Sequence, residues 1–169
     1  MLSQTLRSGT GYEYIYSKTY EALPATATLV IKYSLQNIGK HPLHTEHYNH
    51  NWFNFGGSPI DGNYSVETRF GVDEGDVEWF ARSGRRLDIA GQIKEPSYFP
   101  SRQAAQARDN WMLIGHRGRS QSVIVSGDFD VARFALYADK TALCPEVFGE
   151  FRLPPGHSAD WQRTYEFRA

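Results

Sequence analysis

The strongest constraint on the fold is a period of two in hydrophobicity that recurs along the whole chain. In Leu29-Val30-Ile31-Lys32-Tyr33-Ser34-Leu35-Gln36, apolar side chains occupy 29, 31, 33 and 35 while 32, 34 and 36 are polar. That pattern fits a strand with one face on a core and one in water. The same reading predicts strands over Tyr12–Lys18, Leu43–Phe55, Tyr64–Phe70, Val77–Ala81, Trp111–Gly115, Ser122–Val125, Val131–Tyr137, Ala142–Phe148 and Thr164–Phe167. Between them lie Gly-Gly-Ser-Pro, Asp-Gly-Asn, Arg-Gly-Arg and Leu-Pro-Pro-Gly, whose residues favour turns. Only Ser101–Arg108 reads as helical, inside one long connection from Lys94 to Asn110. Many short strands without interleaved helices predict an all-β chain, an antiparallel β-sandwich or barrel, in one domain spanning residues 1–169.

Charge and cysteine content narrow the function. A formal net charge of −1, with Lys and Arg scattered singly, gives no basic stripe for nucleic acid and no polybasic patch for a membrane surface. No apolar run reaches the length of a membrane span, and no leader pattern opens the chain. The single Cys144 forms no internal disulfide and no CxxC metal pair, so the expected compartment is the cytoplasm and no cofactor is expected.

One segment departs from an ordinary half-buried strand. Thr45-Glu46-His47-Tyr48-Asn49-His50-Asn51-Trp52-Phe53-Asn54-Phe55 concentrates imidazoles, amides and aromatic rings. Alternation places Glu46, Tyr48, His50, Trp52 and Asn54 on one face. Sugars present hydroxyls that want such polar groups and C–H faces that stack on rings, so a small-molecule sugar suits this surface. The competing reading is that these groups satisfy loop backbone or face solvent. His44, His47 and His50 recur every third residue, so His47 points away from the other two on a strand. Without HxH followed by a carboxylate, or HExxH, no metal site is expected.

Asn49-His50-Asn51-Trp52-Phe53-Asn54-Phe55 resembles the Asn-His-Thr-Tyr-Phe-Asn-Leu signature of the aldose 1-epimerases, the galactose mutarotases. Ala142-Leu143-Cys144-Pro145-Glu146-Val147-Phe148 is similar to that family's Cys-Leu-Glu-Thr-Gln stretch, with Cys144 and Glu146 at the same spacing. Leu153-Pro154-Pro155-Gly156, followed by Thr164, Tyr165 and Phe167, resembles its closing turn and strand, and Asp109-Asn110-Trp111-Met112-Leu113 its Asp-His-x-Phe-x-Leu. The resemblance implies a β-supersandwich and anomer exchange by acid/base ring opening. Glu146 would take the proton of the C1 hydroxyl and His50 would protonate the ring oxygen, with Asp109, Asn49, Trp52 and Asn54 contacting the sugar. Carboxylate and imidazole types, with free pKa values of about 4.3 and 6.5, suit such a pair near neutrality.

Three departures bear on catalysis. Asn51 stands for the signature threonine, Phe148 for the glutamine, and the arginine and histidine of the family's N-terminal part have no counterpart before Tyr12. The alternative expectation is therefore a non-catalytic carbohydrate-binding or structural β-sandwich, or a piece of a longer protein. In that last case exposed sheet edges would favour association, for instance a homo-oligomer.

Overall fold

The computed structural model describes residues 1–72, 78–100 and 109–169, with strand as the dominant secondary structure and no α-helix among those residues. The strands are β1 (Leu2–Leu6), β2 (Tyr14–Leu23), β3 (Thr28–Asn37), β4 (Leu43–His47), β5 (Tyr64–Thr68), β6 (Phe80–Ser83), β7 (Arg86–Ile89), β8 (Ser97–Pro100), β9 (Trp111–His116), β10 (Gln121–Gly127), β11 (Arg133–Ala138), β12 (Leu143–Leu153) and β13 (Ser158–Arg168). They form a nine-stranded sheet, in the order β1-β2-β3-β13-β10-β9-β5-β7-β6, and a four-stranded sheet, β4-β12-β11-β8, with every pairing antiparallel. The expected antiparallel β-sandwich is present.

Its core follows from alternation. On β11 the core residues Phe134, Leu136 and Ala138 alternate with Arg133, Ala135 and Tyr137. On β12 the core receives Leu143, Val147 and Leu153, while Cys144, Glu146 and Phe148 lie on the other face of the small sheet. Opposite them, the large sheet contributes Val66, Met112, Ile114, Val123, Val125 and Tyr165. Phe129 wedges between the sheets where both lack a side chain. A Cβ at Gly127 of β10 would stand 2.8 Å from its ring, and one at Gly149 of β12 would stand 2.5 Å from it.

Several expected boundaries move. The strand expected over Leu43–Phe55 ends at His47, and the chain touches the sheet again only at a bridge between Phe53 and Leu143. Facing this interval is Pro145, which has no N–H to donate to a ladder. The expected Lys94–Asn110 loop contains β8, which pairs with β11. The helix expected over Ser101–Arg108 lies outside the described residues, as does Val77 of the expected strand there.

His47 turns inward, its ring 4.5 Å from that of Tyr33 and 5.0 Å from that of Trp161, and burial beside Arg163 pushes its pKa down to about 3. The fold thus holds His47 neutral, whereas the unfolded chain takes up its proton near pH 6.5. This contribution is complete above about pH 6.5 and is lost as pH falls toward 3, at a rate of at most about 1.4 kcal/mol per pH unit. Urea midpoints at pH 7 and pH 5 should therefore separate more for the wild-type protein than for His47→Gln. Equal pH dependence in the two proteins would rule this out.

Candidate active site on the outer face of the small sheet

Two fixed points define the site. Gly149 pairs with His47 in the β12–β4 ladder, and Leu143 bridges Phe53 through reciprocal backbone hydrogen bonds of 2.8 and 3.0 Å. Both strands advance by the same number of residues between these points, so the register is kept although the ladder is open. Continuing that register sets His50 opposite Glu146, Tyr48 opposite Phe148 and Asn51 opposite Pro145. Because Phe53 and Leu143 exchange both bonds, His50–Glu146 falls at a non-hydrogen-bonded position, where facing side chains come closest.

The side chains agree with this placement. His50 Nε2 lies 3.3 Å from Glu146 Oε1, with the imidazole half-exposed and the carboxylate almost fully buried. The Tyr48 ring stacks on Phe148 at 4.3 Å, and the Arg133 guanidinium lies 3.5 Å from the centre of the Phe148 ring. Trp52 stands edge-on to His50 at 5.8 Å and to Tyr137 at 5.3 Å, and is 55% exposed. Across the β11–β12 ladder, Glu146 faces the small Ala135. The result is a carboxylate set in the sheet, an imidazole beside it and aromatic rings around both.

Neighbouring ionisable groups are already committed. Arg133 binds both carboxylate oxygens of Glu46 at 3.0 Å, and this guanidinium holds the Glu46 carboxyl below the usual carboxylate range. His44 pairs with Glu150. Burial pushes the Cys144 thiol up to about 12, helped by the Glu146 charge, so this thiol stays protonated at neutral pH and its Sγ donates to Glu146 Oε1 at 3.5 Å. Its role here is to support the carboxylate, because a nucleophile would need the thiolate.

The structure brings His50, Glu146 and Trp52 together and places the other sequence candidates elsewhere. Asn49 is on the inner side, exchanging hydrogen bonds of 2.8 and 3.2 Å with the Tyr33 hydroxyl. Asn54 orders its own loop: its amide nitrogen donates to the Ser58 and Thr141 carbonyls, and its oxygen accepts from Gly57 N–H. Asp109 is exposed, 3.9 Å from Arg69. Sequence reasoning did not single out Arg133 and Tyr137. Their alternation with Phe134, Leu136 and Ala138 carried the signal that they share the outer face. Among the described residues, no cluster of three or more His, Cys, Asp or Glu side chains is arranged to hold a metal, and no helix is long and apolar enough to cross a membrane.

No protein-family model matches the chain, and no curated protein matches it by sequence. Solved structures do match its fold. A candidate aldose 1-epimerase from Escherichia coli K12 superposes with a TM-score of 0.72 over 98% of this chain and 64% of its own, at 12% identity. A galactose mutarotase-like protein from Lactobacillus casei gives 0.72 over 98% of this chain and 68% of its own, at 15% identity. Another galactose mutarotase-like protein, from Clostridium acetobutylicum, gives 0.64 over 99% and 61%, at 14% identity. This chain therefore spans 61–68% of the length of these three structures, and what it has in common with them is the galactose mutarotase-like β-sandwich fold.

Proposed function

We propose that the outer face of the small sheet binds a free aldose and that Glu146 and His50 exchange its anomers by opening and reclosing the ring. The observation that carries this reading is the contact of 3.3 Å between His50 Nε2 and Glu146 Oε1, with the Trp52 ring edge-on to His50 and in turn to Tyr137. Opening a cyclic hemiacetal removes a proton from the C1 hydroxyl and adds one to the ring oxygen. Both oxygens are bonded to C1, so the base and the acid that serve them must be close neighbours.

Glu146 accepts the hydroxyl proton while the protonated His50 imidazole donates to the ring oxygen. The bond from C1 to the ring oxygen breaks, its electron pair staying on that oxygen, and C1 becomes the aldehyde carbon. After rotation about C1–C2, the ring oxygen attacks the other face of the aldehyde and the two protons return. Acid and base are restored, with no net loss of atoms or charge. Trp52 and Tyr137 supply ring surface for the C–H face of the sugar, a contact that tolerates several hydroxyl configurations. The β-sandwich fold shared with a candidate aldose 1-epimerase and a galactose mutarotase-like protein supports the same reading.

The test is anomer exchange of freshly dissolved α-D-galactose and α-D-glucose, followed by polarimetry and by NMR exchange at C1, with sugar affinity measured in parallel. Rates rising in proportion to protein concentration are expected. Binding without acceleration would make the chain a carbohydrate-binding module, and neither binding nor acceleration with any common aldose would remove the proposal.

A further inference from the structure

The open ladder between β4 and Phe53 poses a hydrogen-bond problem that the structure resolves from the opposite sheet. In the kept register, Pro145 and Val147 are the residues whose backbone groups face the segment 48–52, as Leu143 faces Phe53. Pro145 cannot donate, and its carbonyl and that of Val147 need partners in a buried setting. The Asn51 side-chain nitrogen donates to Pro145 O at 2.8 Å, and the fully buried Arg163 guanidinium donates to Val147 O at 3.2 Å. Asn51 is in turn fixed by the Tyr165 hydroxyl, which donates to its Oδ1 at 2.8 Å, so that its nitrogen must face Pro145. Arg163 and Tyr165 are alternate residues of β13 in the large sheet, on the face that looks into the sandwich.

We infer that Asn51, Tyr165 and Arg163 are positioning residues, which replace with side-chain donors the ladder bonds lost around Pro145 and so hold His50 against Glu146. None of the three touches the proposed sugar face. They act through the backbone, one residue from His50 on one strand and one residue on either side of Glu146 on the other. Glu146 thus sits on β12 and His50 on the unladdered segment beside it. The catalytic part of the inference rests on the proposed anomer exchange, whereas the structural part does not.

Amide hydrogen exchange and steady-state kinetics of Tyr165→Phe test it, because the substitution removes one hydroxyl and little volume. Exchange at Phe53 and Leu143 should speed up by about tenfold, as local opening predicts, while Val66 and Ile114 of the distant β5–β9 pair keep their wild-type rates. In the anomer-exchange assay kcat should fall by about tenfold or more with KM little changed, the signature of a displaced acid/base pair. Pro145→Leu supplies the rescue. It restores an N–H facing residue 51, so adding Tyr165→Phe in that background should cost less than half as many fold as in the wild-type background. Wild-type exchange at Phe53 and Leu143 in Tyr165→Phe would overturn the inference, as would an equal acceleration at all four amides. If the wild-type protein exchanges no anomers, the hydrogen-exchange arm still decides whether the segment is held in this way, and only the functional proposal fails.

Discussion

Glu146→Gln is expected to leave the fold and sugar binding in place while lowering anomer exchange by about a thousandfold, within the range by which a positioned general base accelerates proton transfer. The amide fills the space of the carboxylate and can keep a hydrogen-bonding oxygen toward Cys144 Sγ, which lies 3.5 Å from Glu146 Oε1. It cannot accept the hydroxyl proton at neutral pH. Stability should change little, because a buried carboxylate becomes a neutral group of the same shape. His50→Gln should likewise fold and fail to donate, and the double variant should be hardly slower than either single one, since acid and base act on one ring-opening event. Polarimetry with thermal melts alongside checks each outcome. Anomer exchange within threefold of wild type in Glu146→Gln would exclude it as the base.

The second large effect is structural. Gly149→Ala should destabilise the protein by about 1–3 kcal/mol, the usual cost of overpacking a core. On propensity alone the sign would be the reverse, because alanine in a strand is favoured over glycine by roughly 0.5–1 kcal/mol. The contact decides, since the new methyl would sit 2.5 Å from one Phe129 ring carbon and 2.8 Å from another. That ring has little room to withdraw, because Gly127 of the large sheet is packed against its other side, where a Cβ would stand 2.8 Å from the ring. Phe129→Leu in the Gly149→Ala background should recover part of the loss, whereas Phe129→Leu alone should destabilise. Urea denaturation of the four proteins gives the coupling directly, and a stabilising Gly149→Ala would show that the wedge yields.

The class of fold was legible because alternation is local. β3 and β10 each show their apolar period within a few consecutive residues, and the turns between strands carry Gly, Pro and Asn. β1 was missed because all five of its residues are exposed, leaving no apolar face to detect. The first half of β13 was missed for a different reason. Its buried positions include Arg163, a charged residue that breaks the apolar pattern although the strand continues. The pairing of His50 with Glu146 was suggested by likeness to a known motif, and the parity of each residue on its own strand permitted it. The break at His47 was illegible, since Pro145, which offers the ladder no N–H, is 94 residues from the Asn51 it faces. Asn49 and Asn54 read as ligand-binding amides by type. Their actual partners, the Tyr33 hydroxyl and the loop around Ser58, depend on how distant strands cross.

The equal spacing of the two strands between their fixed contacts has an evolutionary consequence. Substitutions at Tyr48 or Trp52 change what surrounds the imidazole but leave the register that places it. A single-residue insertion or deletion between His47 and Phe53 would shift the alternation by one and turn His50 to the other face of the sheet. Selection on this segment therefore acts on its length more strictly than on its letters. A lineage can then drift beyond recognition in identity while the count of residues, which no substitution alters, keeps the histidine opposite its carboxylate.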